Sequence, residues 1–181
     1  IPDRYSEGYG ISPKSIEYAA DNSFKLVIVI DCGIKAVEKI AYARTRHLDY
    51  IICDHHNPGE RIPDAIAVLD PKRLDCDYPF KELSGCGVGF KFIQAYCTKY
   101  NEPITKLYDL LDLVVVSIAS DIVPVIGENR VLAYYGLKKL NADPCIGLKT
   151  LIYNTKIEGS DISINDIVFK INRQALRHAQ L

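Results

Sequence analysis

Residues 26–56, LVIVIDCGIKAVEKIAYARTRHLDYIICDHH, decide the fold of this chain. The apolar runs Leu26–Ile30 and Tyr50–Cys53 predict two buried strands, and the pattern of Ile34–Arg46 predicts a helix between them. A strand, a helix and a strand in this order nearly always form a parallel pair, whose carboxyl ends lie at the same edge of the sheet. The stretch therefore predicts an α/β fold with a parallel sheet.

Acidic and imidazole side chains follow both predicted strands. Asp31 ends the first strand, and Asp54-His55-His56 ends the second. If the strands are neighbours, these side chains lie roughly 5–10 Å apart, at the edge where open parallel sheets bind ligands and metals. Carboxylate oxygens and imidazole nitrogens together favour divalent cations, so the pattern predicts a metal site.

Each of these motifs also has a plainer interpretation. Asp31 alone is more simply the N-cap of the helix that follows it, and a pair of exposed loop histidines is the alternative for His55 and His56. The joint pattern favours the metal. Asp121, at the end of the apolar run Val114–Ser120, is either a solvated helix end or a carboxylate that needs a metal partner, because burying an unpaired charge is costly.

The rest of the chain continues the α/β pattern. A third short strand is predicted at residues 65–69 and ends in Asp70. Because Pro71 follows, Asp70 is interpreted as an ordinary turn acid, and it is the weakest metal candidate. Ser12 is the predicted N-cap of a helix that starts with Pro13. Further helices are predicted at residues 14–21, 90–100, 105–119, 128–140 and 146–153, and another element begins within residues 161–171.

A glycine-rich stretch, Gly85-Cys86-Gly87-Val88-Gly89, precedes one of these helices. It matches neither a Walker loop nor a dinucleotide fingerprint. Its backbone N–H groups could approach a phosphate, or its glycines could allow close packing of the helix. The residues leave both interpretations open.

The composition limits the class of protein. The chain has 181 residues, 48% of them hydrophobic and 25% charged, so it can bury a core and is not a disordered chain. A net charge of −1 gives no global attraction to nucleic acid, so polyanion binding has to come from a local patch or a bound metal. The six cysteines form no C-x-x-C pair and predict reduced thiols in the cytoplasm, and no apolar run is long enough to span a membrane.

Several motifs together resemble a known family. Asp31-Cys32-Gly33, Asp54-His55-His56 and Ser120-Asp121-Ile122-Val123-Pro124 stand in the order and context of the DHH phosphoesterase superfamily. The flanking residues resemble its RecJ-like, single-strand-specific exonucleases over about residues 1–140. They are IPDR at 1–4, EGYG at 7–10, DP at 70–71, CDYP at 76–79 and SGCGVGFK at 84–91.

The resemblance implies an α/β, three-layer DHH domain over residues 1–155, with residues 156–181 as a linker to a second domain or as the start of that domain. It implies a metal-dependent exonuclease that hydrolyses single-stranded DNA from 5′ to 3′ into mononucleotides, using two Mn²⁺ or Mg²⁺ ions, in DNA repair and recombination. Single-stranded DNA is the implied partner, with a single-strand-binding protein and a helicase beside it. The alternatives are a phosphodiesterase for short oligonucleotides or cyclic dinucleotides, and a non-catalytic adaptor of the same fold.

The resemblance also implies roles for particular residues. By position, Asp31, His55 and Asp121 correspond to metal ligands, His56 to a contact with the scissile phosphate or a support for the metal ligands, and Asp54 to a carboxylate that orients the histidines. The implied substrate-binding residues include backbone groups, cations and an aromatic ring suited to stacking on a base, and they are Arg4, Tyr9, Gly85, Gly87 and Lys91.

The chain departs from the family pattern in two places. The family has an Asp-x-Asp motif on an earlier strand, which would stand upstream of Ile1 and supply further metal ligands. The family pattern after Phe169-Lys170-Ile171 is also not matched, because Asn172-Arg173 follows here. On this basis we expect residues 1–181 alone to be weak or inactive.

Overall fold

The computed structural model describes residues 7–155, 157 and 161–173. The chain divides into two compact units, Ile1–Lys81 and Glu82–Leu181. The sequence-based division into a domain of residues 1–155 and a following linker, or the start of a second domain, stays a prediction.

The first unit contains a three-stranded parallel sheet. Its strands are β1 (Leu26–Ile30), β2 (Asp49–Cys53) and β3 (Ala67–Leu69), in the order β1-β2-β3. The register pairs Ile30 with Cys53 and Cys53 with Leu69, so the three carboxyl ends meet at one edge. The predicted parallel α/β sheet is confirmed.

Two helices, α1 (Pro13–Asp21) and α2 (Val37–Thr45), pack on one face of this sheet. Their buried side chains join the sheet residues of that face in a single apolar core, made of Ile11, Ile16, Ala19, Ile40, Ala43, Leu48, Tyr50 and Ile52. The predicted cap of α1 is confirmed, because Ser12 Oγ accepts a hydrogen bond from the backbone N–H of Ser15. The opposite face of β1, an edge strand, leaves Leu26, Ile28 and Ile30 between 43% and 49% exposed.

The loop between β1 and α2 is longer than the sequence predicts. We expected the helix to begin at Ile34, but it begins at Val37 with Ala36 as its N-cap. Asp31 and Gly33 adopt positive φ angles of 67° and 114°. A left-handed backbone cannot continue a right-handed helix, so the chain turns here before α2 starts.

The second unit is helical in the part of it that the structure describes. Its elements follow one another along the chain as α3 (Gly85–Tyr100), a 3₁₀ segment (Ile104–Leu110), α4 (Leu111–Ser120), α5 (Gly127–Ala142), α6 (Ile146–Thr155) and α7 (Ile164–Asp166), which runs into a π-helical segment (Ile167–Ile171). The helix that we expected at residues 105–119 is therefore divided into a 3₁₀ segment and α4. The helix that we expected at residue 90 begins at Gly85, because Ser84 caps it there.

The helices α4 and α5 approach closely at a glycine. A Cβ atom added to Gly136 would lie 2.5 Å from the carbonyl oxygen of Leu111 and 2.7 Å from Cβ of Val115. Only glycine fits at this crossing without a shift of backbone. The structure shows all six cysteines as free thiols. Within the described residues, no helix is both long and apolar enough to cross a membrane.

Candidate metal centre

Three of the predicted site residues lie together at the carboxyl edge of the sheet. Asp31, His55 and His56 each offer one ligand atom, and these atoms all lie within 4.8 Å of one another. The two imidazole rings are 4.6 Å apart in an edge-on arrangement. Among the residues that the structure describes, no other group of three histidine, cysteine or acidic side chains meets in this way.

The backbone fixes the position of Asp31 in this cluster. Its N–H donates a 2.8 Å hydrogen bond to the carbonyl oxygen of Cys53, at the end of the neighbouring strand. Its positive φ is a conformation that aspartate tolerates better than most residues. The N-cap interpretation of Asp31 is wrong, because Ala36 caps α2.

The contact between Asp31 and His55 has the features of a shared ligand site. His55 Nε2 lies 3.0 Å from Asp31 Oδ1. Nevertheless, Asp31 Oδ1 is buried and accepts no hydrogen bond with acceptable geometry from any described residue. The 3.0 Å distance would suit a hydrogen bond between His55 Nε2 and Asp31 Oδ1, but the geometry does not. Both observations fit if the two atoms are ligands of a common cation, which would replace the missing hydrogen bond.

His55 and His56 differ in their surroundings. The His55 side chain is 8% exposed, and the His56 side chain is 53% exposed. The alternative of two exposed loop histidines therefore fails for His55. His56 Nδ1 lies 2.7 Å from Asp54 Oδ1, which leaves Nε2 as the ring nitrogen that can face a ligand.

Asp54 is the buried anchor of the site. Its carboxylate accepts hydrogen bonds from the backbone N–H groups of Ile34 at 2.8 Å, His55 at 2.8 Å and His56 at 3.2 Å, besides its contact with the His56 ring. Burial alone would raise the pKa of Asp54, but these hydrogen bonds outweigh it and lower the pKa below its ordinary value. Asp54 therefore stays ionised and holds both histidine backbones.

The thiol beside this anchor is not a candidate ligand. Cys53 is fully buried at the end of β2. Burial, reinforced by the charge of Asp54, raises the pKa of Cys53 to about 11, so it remains a neutral thiol at physiological pH. A metal ligand needs the thiolate, and the donor set here consists of oxygen and nitrogen.

Asp70, which the sequence predicts to be a turn acid, is buried at the end of β3. This residue follows β3 and is only 2% exposed, and its Oδ1 accepts a hydrogen bond from the backbone N–H of Lys72 at 2.8 Å. Burial raises the pKa of Asp70, and the nearby charge of Asp54 raises it further. The register of β3 against β2 places Asp70, the acid that ends the third predicted strand, beside Asp54.

An open cavity of about 680 Å³ adjoins the cluster within the first unit. Asp31, Asp54 and His56 line one part of it, and Lys35, Lys39 and Arg61 line another, together with Glu38 and Glu60. Arg61 is paired with Glu38. The sequence did not single out the two lysines, because a lysine on a helix is ordinarily a solvated residue. A separate cavity of about 810 Å³ follows the open edge of β1 and also reaches Asp31.

Two of the predicted substrate-binding residues belong to the N-terminal part of the chain. Tyr9 is 72% exposed and lines both cavities. Arg4 lies outside the described residues.

The other predicted residues belong to the second unit. Asp121 is exposed at the end of α4, where its Oδ2 accepts a hydrogen bond from Ser117 Oγ at 3.2 Å. Lys91 forms an ion pair with Glu128 at 2.8 Å. Gly85 and Gly87 are buried in the first turn of α3, where the N–H of Gly87 donates to Ser84 Oγ at 3.2 Å. This internal hydrogen bond favours the packing interpretation of the glycines, and their contact with a phosphate stays a prediction.

The chain is similar to characterised exonucleases. RecJ of Bacillus subtilis (strain 168), a single-stranded-DNA-specific exonuclease, is 41% identical over 162 residues, which is 90% of this chain and 20% of that protein. RecJ of Escherichia coli (strain K12) is 31% identical over 181 residues, covering 94% of this chain and 31% of that protein. The chain thus spans about a fifth to a third of these curated relatives.

The comparison with solved structures and family models agrees. The crystal structure of exonuclease RecJ bound to manganese matches with a TM-score of 0.79 and 27% identity, over 94% of this chain and 42% of that one. The model of the DHH family, N-terminal domain, matches residues 1–118. With that match covering well over half of its residues, the chain belongs to the DHH family.

Proposed function

We propose that this chain forms part of the catalytic core of a metal-dependent exonuclease that hydrolyses single-stranded DNA from its 5′ end into mononucleotides. The observation that carries the proposal is the cluster of Asp31, His55 and His56, whose ligand atoms lie within 4.8 Å of one another. The exonucleases that share 31–41% of its residues support the substrate class. The mononucleotide product and the 5′-to-3′ direction are our proposals.

The donor set fits Mn²⁺ or Mg²⁺. The carboxylate of Asp31 and the imidazole of His55 suit Mn²⁺, and oxygen donors suit both ions. The buried Oδ1 of Asp31 is the atom that such a cation would satisfy. Structures of RecJ with Mn²⁺ and with Mg²⁺ support the choice of these two kinds of ion. When bound, these ions neutralise phosphate charge and lower the pKa of a water molecule.

The chain's own residues divide the remaining work. Asp54 fixes the two histidine backbones, so the ligands are held in place before substrate arrives. His56, which is half-exposed, is the side chain placed to contact the scissile phosphate. Lys35 and Lys39, in the wall of the 680 Å³ cavity, supply positive charge for the next phosphates of the strand.

Residues of other regions complete the proposed substrate path. We assign Asp121 as a further metal ligand, and Gly85, Gly87 and Lys91 as contacts to the DNA backbone. Lys91 would have to exchange its ion pair with Glu128 for a phosphate. Tyr9 is exposed enough to stack on a base, and Arg4 adds positive charge. The corresponding cellular role is DNA repair and recombination in the cytoplasm, beside a single-strand-binding protein and a helicase.

The test uses the full-length protein that contains this chain. In Mn²⁺, the first product released from single-stranded DNA labelled at its 5′ end should be a labelled mononucleotide. A bulky block at that end should stop digestion. EDTA should abolish activity, and so should His55→Ala or Asp31→Ala, without loss of the fold by circular dichroism. Undiminished activity in EDTA or in His55→Ala would contradict the metal assignment.

A substrate panel separates this proposal from its rivals. Long single strands should be degraded much faster than dinucleotides, cyclic dinucleotides or duplexes of the same sequence. Faster turnover of the dinucleotides would instead identify a phosphodiesterase of short substrates. Binding of single strands without any hydrolysis in either metal would identify an adaptor.

A further inference from the structure

A buried asparagine joins two loops of the second unit. Asn129 lies in the first turn of α5 and its side chain is fully buried. Its Nδ2 donates one hydrogen bond to the carbonyl oxygen of Glu82 at 2.6 Å and another to that of Pro124 at 3.0 Å. Glu82 stands two residues before the N-cap of α3, and Pro124 stands three residues after Asp121. One amide group therefore holds the backbone beside the glycine-rich turn and the backbone beside Asp121.

The donors are the polar atoms of Asn129 that the fold uses. Its Oδ1 is also buried, but it has no hydrogen-bond partner among the described residues. An unpaired buried acceptor costs free energy, so packing alone does not favour an amide at this position. The two hydrogen bonds to carbonyl oxygens offset that cost, and they give the side chain its role.

The loop that Asn129 holds is strained next to Asp121. Ile122 has a φ of 54°. This is a left-handed conformation that glycine commonly supplies after the end of a helix and that a β-branched residue rarely adopts. Such a conformation persists only where neighbouring contacts hold it. The hydrogen bond from Asn129 to Pro124, two residues further along, is a contact of this kind.

Ser117 makes a second connection between the same two regions. Its Oγ, one helical turn before Asp121, donates to Asp121 Oδ2 at 3.2 Å and accepts from the backbone N–H of Cys86 at 3.4 Å. Cys86 lies between the two glycines that we assign to the DNA backbone. The Asp121 carboxylate is thus linked to the first turn of α3, and Asn129 fixes the backbone of both.

We propose that Asn129 is a positioning residue, which sets the spacing between the Asp121 carboxylate and the first turn of α3. It holds Asp121 ready for a metal ion through the backbone, without binding the ion itself. The inference rests on the proposed function, in which Asp121 is a metal ligand, and it adds the residue that fixes the position of that ligand.

Two asparagines of the same helix separate positioning from stability. Asn129→Ala removes both hydrogen bonds to carbonyl oxygens. The matched control is Asn141→Ala, because Asn141 also lies on α5 and its Nδ2 donates to the carbonyl oxygens of Leu137 at 2.9 Å and Ile162 at 3.0 Å. Both variants should lose stability, but only the first releases the loop after Asp121.

The first measurement is Mn²⁺ affinity, by calorimetric titration of the full-length protein. We expect Asn129→Ala to weaken binding about 10-fold and Asn141→Ala to leave it unchanged. In an Asp121→Ala background, Asn129→Ala should weaken binding no further, because two residues that act through one contact have non-additive effects. The second measurement is hydrogen exchange in the metal-free protein, where the amides of residues 121–126 should exchange faster in Asn129→Ala than in Asn141→Ala.

The outcomes distinguish this inference from the proposed function. Wild-type Mn²⁺ affinity in Asn129→Ala would overturn the role of Asn129 and leave the metal site intact. An equal loss of affinity with and without the Asp121 carboxylate would do the same. Absence of Mn²⁺ binding by the wild type would overturn both proposals.

A second variant decides if Asn129→Ala does not fold. Asn129→Asp keeps the volume of the side chain and replaces the two donors with acceptors. Its added negative charge favours cations, so weaker Mn²⁺ binding by this variant would support the positioning role. Binding as tight as that of the wild type, or tighter, would overturn it.

Discussion

Asp54 Oδ2 lies 2.8 Å from the backbone nitrogen of Ile34, and this hydrogen bond ties the loop after β2 to the loop after β1. The first of these loops contains His55 and His56, and the second contains Asp31. One fully buried carboxylate therefore sets the spacing between the two halves of the candidate metal centre.

Loss of this anchor should destabilise the protein. Asp54→Ala leaves three backbone N–H groups without their acceptor, so we expect the free energy of unfolding to fall by about 3 kcal/mol. Urea denaturation followed by circular dichroism measures the change. The matched control is Asp49→Ala at the exposed start of the same strand, which should cost less than about 0.5 kcal/mol. Equal effects of the two substitutions would contradict the anchoring role.

The same carboxylate should make stability fall in acid. Because the folded pKa of Asp54 lies below its unfolded value, its contribution is complete above the unfolded pKa and is lost as pH falls through the folded pKa. In Asp54→Asn this part of the acid dependence should disappear, so its unfolding free energy should change less below about pH 4. Parallel pH profiles for the two proteins would disprove this linkage.

Ionised Asp70, unlike ionised Asp54, should lower the stability of the metal-free protein. Its folded pKa is raised by burial and by the charge of Asp54, so ionised Asp70 reduces stability at every pH above that folded value. Asp70→Asn keeps the turn acceptor and removes the charge, and we expect a higher melting temperature at pH 7 without metal. The gain should shrink as pH falls through the folded pKa of Asp70. A lower melting temperature at pH 7 would refute this account.

Packing in the second unit offers a test that does not involve the site. Gly136→Ala forces a Cβ atom to within 2.5 Å of the carbonyl oxygen of Leu111, so we expect a loss of about 1–3 kcal/mol. Gly147→Ala, in α6, meets no atom within 4 Å and should instead stabilise by up to about 1 kcal/mol through helix propensity. Thermal denaturation measures the stability of both variants. An equal change in stability in the two would contradict this account of the packing.

The sequence predicted the sheet well because the signal is local. Strand β1 has the bounds that its apolar run predicts, and β2 begins one residue earlier. Ser12 and Pro13 start α1 as expected. The start of α2 was missed because two left-handed residues interrupt the chain, and only aspartate and glycine at those positions hinted at them.

The convergence of Asp31, His55 and His56, and the support of the two histidines by Asp54, were predictable from the sequence. Strand ends and the Asp-His-His triplet predict which ligands converge, since parallel strands bring them to one edge. The burial of Asp70 was not predictable, because it depends on the register of β3 against β2, which a turn signal in the sequence does not reveal. The position of Lys35 and Lys39 in the wall of the 680 Å³ cavity was not predictable for a similar reason, because it depends on which residues lie opposite them in the fold.

The most direct test is anomalous diffraction at the manganese edge from crystals of the full-length protein grown with Mn²⁺. We predict an anomalous peak bonded to a carboxylate oxygen of Asp31 and to Nε2 of His55, and its loss in His55→Ala. The matched control His47→Asn, at an exposed residue with a positive φ, should keep the peak. Manganese bound elsewhere, or none between Asp31 and His55, would contradict the account.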